Sequence, residues 1–161
     1  MELEDRAKEL LSSIEYINLA TVSESGHPWN TPVYAVHDEG LKFYWSSWKD
    51  AEHSKFIRAN PQIFFTLYDS TRKRGDNNRR CLYFKGKAVE LTDQDEIQKA
   101  LDLLYGDEEG ENHATDFLGE GLRRIYSALP EEAWLNDKSE RQVTQDTIKM
   151  RIEVSLESIR G

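Results

Sequence analysis

The sequence predicts a mainly β (α+β) fold, a six-stranded antiparallel barrel with a few helices outside it. Apolar residues alternate at the two-residue period of a half-buried strand in Leu41, Phe43 and Trp45, and again in Ile148, Met150, Ile152 and Val154. Strand-like segments follow one another through short turn sequences such as Asp38-Glu39-Gly40, which favours antiparallel hairpins. The regular strand–helix–strand order of a parallel sheet is missing.

Each element has a local reason. Leu3, Ala7, Leu10 or Leu11, and Ile14 recur at helical spacing, so residues 2–15 read as an amphipathic helix. Ile17 to Ser23 is the first strand, Glu24-Ser25-Gly26-His27-Pro28 a turn, and Trp29 to His37 the second strand. Pro32 has no N–H to give to a ladder, so that strand is expected at an edge or with a bulge. The third strand runs from Leu41 to Trp48. A short helix over Asp50 to Asn60 follows, with Asp50 as its N-cap and Pro61 as its stop. Gln62 to Asp69, apolar almost throughout, is the fourth strand. Arg80 to Leu91 is a long fifth strand in which Gly86 marks a bulge or bend. Thr92-Asp93 caps a helix with Ile97, Ala100, Leu101 and Leu104 on one face, which the glycines and acids of residues 106–111 end. A further helix is expected from Thr115 to Ser127, with Pro130 opening a short turn that carries Trp134. Thr147 to Val154 is the sixth, closing strand. No repeat, low-complexity stretch or linker divides the 161 residues, so one domain (1–161) is expected.

Composition narrows the function. A formal net charge of -9 argues against nucleic acid as the main partner, because that affinity depends on neutralising phosphates. The loop of residues 70–80 is locally basic, with Arg72, Lys73, Arg74, Arg79 and Arg80 against Asp76. It reads as a solvated hairpin loop or as a flap over an anionic ligand. No apolar run approaches the roughly 20 residues that span a bilayer, and the acidic N-terminus is unlike a signal peptide, so no membrane association is expected. A single cysteine, Cys81, excludes an intramolecular disulfide and fits a reducing compartment, so a cytoplasmic protein is expected.

Chemistry concentrates at the end of the third strand. Ser46, Ser47 and Lys49 run directly into a helix start with His53 in its first turn. Free backbone N–H groups and the positive end of the helix dipole make such a junction an anion site, and these side chains are what a phosphate would meet there. His53 shares a helix face with Ile57, so a core histidine is the alternative reading, but its nearness to Ser46, Ser47 and Lys49 favours phosphate contact. Trp45 alternates into the core, whereas Trp29, Trp48 and Trp134 sit at element boundaries, where they either pack or face a ligand. No glycine-rich phosphate loop occurs. Glu109, Glu111 and His113 read as an acidic solvated loop rather than a metal site, and Cys81 as a small buried hydrophobe, so no metal is expected.

Taken in order, these segments resemble the pyridoxamine 5'-phosphate oxidase-like family, the FMN-binding split barrels. The likeness runs from Leu19 to Leu91 through LATV, GHPWNTPV, LKFYWSS, His53 followed by Asn60-Pro61, TLYDS and LYFKGKAVEL, with a further echo at Trp134-Leu135-Asn136. The resemblance implies a split barrel that forms a homodimer with two FMN molecules at the interface. Trp29, Asn30, Thr31, Pro32 and Val33 would line the isoalloxazine, partly through backbone groups. Trp45, Ser46, Ser47, Lys49 and His53 would hold the phosphate, and Trp134 would reach the flavin from the other subunit. The implied function is that of an FMN-dependent oxidoreductase acting on a small molecule, with NAD(P)H or another small reductant as hydride source. A non-catalytic flavin- or haem-binding or sensing protein is the competing class. Enzymes that oxidise pyridoxamine phosphate place an arginine and a lysine where this chain has Asn30 and Ala35, and a lysine where it has His53. Their C-terminal arginine–histidine signature is also missing from LNDKSERQ, which follows Trp134. The resemblance therefore implies FMN binding without that oxidase activity, and no general acid or base is placed by motif.

Overall fold

A computed structural model describes residues 3–71, 73, 80–106, 112–136 and 151–161. Helix α1 (Leu3–Ser13) leads into β1 (Tyr16–Val22), β2 (Pro28–Tyr34), β3 (Val36–His37) and β4 (Phe43–Trp48). Helix α2 (Glu52–Ala59), β5 (Gln62–Tyr68), β6 (Cys81–Glu90) and α3 (Gln94–Tyr105) follow. A 3₁₀ turn (Ala114–Phe117), β7 (Arg123–Asn136), β8 (Arg151–Glu153) and α4 (Leu156–Ile159) complete the order. The sheet is antiparallel in the order β2-β1-β5-β6-β7-β4-β3, with β8 paired to β7.

The two ends of this path, β2 and β3, are separated in sequence by Ala35 alone. The segment expected as one second strand therefore passes from β1 to β4 and draws the sheet into a split barrel. Ala35 marks the change of partner, its N–H donating to the Glu15 carbonyl at 2.9 Å. Pro32 lies on β2, which among the described strands pairs with β1 alone, so the missing N–H falls at an edge as proline chemistry requires. The barrel interior is filled by Leu19, Trp45, Phe65, Phe84 and Tyr126, with α1 closing it through Ala7 and Leu10. A second core, built from Tyr44, Ile97, Leu101, Phe117 and Ile125, lies beneath α3.

Local chemistry explains most boundaries. Asp93 caps α3, its side chain accepting from the Glu96 N–H at 2.9 Å. The β6–β7 register shifts between Lys85 and Gly86, and a Cβ at Gly86 would lie 2.3 Å from the Leu129 carbonyl oxygen. β4 begins at Phe43 rather than Leu41, because buried Leu41 sits at φ 63° and cannot extend the ladder.

Other expectations are corrected. Eight strands, not six, are present among the described residues. The helix expected from Thr115 to Ser127 is a 3₁₀ turn followed by β7, and Pro130 and Trp134 lie inside that strand rather than in a turn. The run Ile125 to Ala128 is buried on both faces, between the two cores, so it lacks the alternation that marks a half-exposed strand. Asp50 does not cap α2: the capping position is Ala51, without a side-chain bond. Of the closing strand expected over Thr147 to Val154, Arg151–Glu153 forms β8, while residues 147–150 lie outside the described residues.

Candidate functional site: a polar cavity at the split of the barrel

A cavity of about 320 Å³ opens between β2 and β4, where the two ends of the sheet approach each other. β2 contributes Pro32, Val33 and Tyr34, and β4 contributes Ser46, Ser47 and Trp48. His53 enters from the first turn of α2, Leu104 and Tyr105 from the end of α3, and Arg123 from the start of β7. The first half of β4, Phe43 to Trp45, is buried on both faces. Two serines then replace bulky residues, and that loss of volume leaves the space.

Ser47 Oγ and His53 Nε2 lie 2.8 Å apart, both groups buried. Burial holds the imidazole below its ordinary pKa. The strand-to-helix junction is pinned around them: the Ser54 hydroxyl donates to the Trp48 carbonyl at 2.8 Å, and the Lys49 N–H to the Leu122 carbonyl at 2.9 Å. The Ser46 hydroxyl and the Trp45 indole N–H are shielded from solvent and have no hydrogen-bond partner among the described residues. An unsatisfied buried hydroxyl costs about 1–3 kcal/mol, and at Ser46, which lines the cavity, a water or a ligand atom could meet it. A phosphate oxygen, which accepts from hydroxyls, imidazole and helix N-terminal N–H groups, has the chemistry to fill it.

A second polar cluster lies at the other end of α2 and is complete. Arg58 donates to Glu90 at 2.9 Å and to the Lys49 carbonyl at 2.7 Å, Tyr126 donates to Glu90 at 2.9 Å, and Arg124 Nε lies 3.4 Å from Glu90. Burial chiefly, with Glu90 beside it, pushes the Tyr126 phenol up to about 12.

Of the residues that the sequence singled out, the cavity gathers Pro32, Val33, Ser46, Ser47, Trp48 and His53. Trp45 lies fully buried in the barrel core, stacked on Tyr126 with ring centroids 5.8 Å apart. Trp29, Asn30, Thr31 and Lys49 lie nearby on β2 and the junction but do not line the cavity. Trp134 belongs to the outer face of the sheet, stacked on Phe64 at 6.2 Å, and is not brought to the cavity within one chain. Of the basic loop, Arg72, Arg74 and Arg79 lie outside the described residues, as do Glu109 and Glu111 of the acidic loop. Among the described residues no group of three or more potential ligands could hold a metal. The sequence reading did not assign Tyr34, Leu104, Tyr105 and Arg123 to the site. Only the fold brings the end of α3 and the start of β7 to β4.

Residues 3–147 match the profile of the pyridoxamine 5'-phosphate oxidase family. The chain belongs to that family. No curated protein matches it in sequence. Among solved structures, a haem-binding protein from Mycobacterium smegmatis is similar at TM-score 0.70 and 14% identity, over 99% of this chain and 60% of that one. HutZ, the haem storage protein of Vibrio cholerae, is similar at TM-score 0.64 and 19% identity, over 81% of this chain and 92% of that one. A Listeria innocua protein named for pyridoxamine 5'-phosphate oxidase gives TM-score 0.63 and 19% identity, over 83% and 98%. At these identities the likeness is one of fold. No described helix is long and apolar enough to cross a membrane.

Proposed function

We propose that this family member is an FMN-binding flavoprotein that acts as a small-molecule oxidoreductase. The observation that carries the reading is the cavity lined by the Ser47–His53 pair and by Ser46, whose hydroxyl is unpartnered among the described residues. Ser46 and Ser47 would donate to the phosphate, with the imidazole of His53 as a third group. Lys49 and Trp45 would support the junction, through its backbone and through the core behind it. β2, from Trp29 to Val33, would present its free edge to the isoalloxazine, with Asn30 and Thr31 contributing backbone groups. Bound flavin would supply hydride-accepting chemistry, and NAD(P)H is the proposed donor. The chain's own part is to bind, orient and shield, and no side chain is placed as a general acid or base.

Family members are typically dimeric, and the outer face of the sheet suits a partner. Tyr16 and Tyr34 meet edge-on there at 5.7 Å, and Phe64 and Trp134 stack beside Tyr83. Tyr16 is 59% and Tyr34 38% exposed, a large aromatic surface for a lone soluble chain. A second copy would cover this face and bring Trp134 toward its neighbour's flavin. Pyridoxamine phosphate oxidation itself is not proposed. Holding that substrate against flavin needs a second, rigid phosphate site, and a misplacement of about 1 Å can cost roughly a hundredfold in rate.

The absorption spectrum of the purified protein, and of the apoprotein after adding FMN or haem, tests the reading. A flavin spectrum that NADPH bleaches is expected. A flavin spectrum stable to physiological reductants would reduce the protein to a flavin carrier. A Soret band on haem addition, with no response to FMN, would replace the reading by haem binding, as in the M. smegmatis and V. cholerae proteins.

A further inference from the structure

A phosphate monoester brings up to two negative charges into the cavity, and the cation that meets them is not the one nearest in sequence. The Lys49 side chain does not line the cavity, and its main chain is already engaged by Leu122 and Arg58. Arg123 does line it, and among the lining residues its side chain is the only one with a permanent positive charge. The β4–β7 register sets Arg123 directly opposite Trp48, and its guanidinium carbon lies 5.8 Å from the Trp48 ring centroid. The neighbouring Arg124 is fully engaged: it donates to the carbonyls of Gly121, Arg123 and Gly119 and faces Glu90. No acidic side chain among the described residues pairs with Arg123. A cation–π contact at an exposed position is weaker than a charge-assisted, bidentate bond to phosphate, so the guanidinium can leave the indole when an anion arrives.

We infer that Arg123, resting on Trp48, is the residue by which the cavity selects phosphorylated over unphosphorylated flavin. The inference rests on the FMN reading above and adds the source of its phosphate specificity. Arg123 is a ligand-contacting group in this scheme, and Trp48 positions it.

The test titrates the apoprotein with FMN and with riboflavin, following flavin fluorescence, in the wild type, Arg123→Gln and Arg123→Lys. Arg123→Gln is expected to weaken FMN binding about ten- to a hundredfold, the size of one lost charge-assisted bond, and to leave riboflavin within about threefold. Arg123→Lys should recover part of the preference, because it keeps the charge and loses the fork. Unchanged FMN affinity in Arg123→Gln, or equal losses for both flavins, would overturn the inference. Equal affinity of the wild type for FMN and riboflavin would overturn it too while leaving flavin binding intact. A wild type that binds neither flavin would remove the FMN reading and this inference with it.

Discussion

The two ends of α2 handle polar groups in opposite ways. At its last turn, Arg58, Glu90, Tyr126 and Arg124 satisfy one another at 2.9–3.4 Å, and Arg58 also holds the Lys49 carbonyl. At its first turn the Ser46 hydroxyl has no partner among the described residues, and Arg123 rests on an indole rather than an acid. A closed cluster locks helix to sheet and has no capacity left for a ligand. An open one gives up stability for binding capacity. Both involve the same short helix, so the contrast separates residues that build the site from those that serve it.

The contrast is broken most forcefully at the closed end. Glu90→Ala leaves Arg58, Arg124 and Tyr126 without their shared acceptor. Removing one partner of a fully buried pair costs about 3–5 kcal/mol. Here the side chains of Glu90 and Arg58 are 21% and 39% exposed. With solvent screening, a loss of about 1–3 kcal/mol is expected in urea unfolding. A loss below the error of the measurement would mean that the cluster is ornamental.

At the open end the largest effect falls on binding. His53→Ala should weaken FMN about ten- to a hundredfold, read by fluorescence titration, as one bond to a charged phosphate is lost. Unchanged affinity would remove His53 from the site.

The pH dependence sharpens the same point. Burial lowers the His53 pKa in the folded chain below the ordinary 6.5. In that window the unfolded chain binds more protons, so the contribution of neutral His53 is present above the unfolded pKa and lost as pH falls through the folded one. Thermal melts of the apoprotein should show a midpoint that falls as pH drops below about 6.5, with a shallower fall in His53→Gln. Parallel profiles for the two proteins would contradict the assignment.

The smallest effect is the most discriminating. Ser46→Ala removes an unsatisfied hydroxyl, so apoprotein stability should hold or rise by a few tenths to about 1 kcal/mol while FMN affinity falls. Destabilisation by this change would mean that Ser46 has a structural partner.

Much of this was readable from local chemistry. The edge position of Pro32, the bulge at Gly86, the Asp93 cap and the junction of Ser46, Ser47 and His53 each follow from what one residue can or cannot do with its backbone. What failed depended on tertiary cover. Ile125 to Ala128 is buried on both faces and gives no period, so the start of β7 reads as the end of a helix and Arg123 is not placed at the site by sequence. Pro130 reads as a strand breaker. Yet it sits opposite Gly86 at the register shift, where the ladder is already interrupted and its missing N–H is tolerated. The two-strand hand-over at Ala35 is likewise invisible in a segment whose extended pattern runs unbroken through it.

The direct test of the central assignment is a crystal structure of the protein loaded with FMN. Phosphate density is expected within hydrogen-bond distance of the Ser46 and Ser47 hydroxyls and His53 Nε2, with the Arg123 guanidinium moved from Trp48 onto the phosphate. A phosphate bound elsewhere, with the Ser46 hydroxyl still unpartnered, would contradict it.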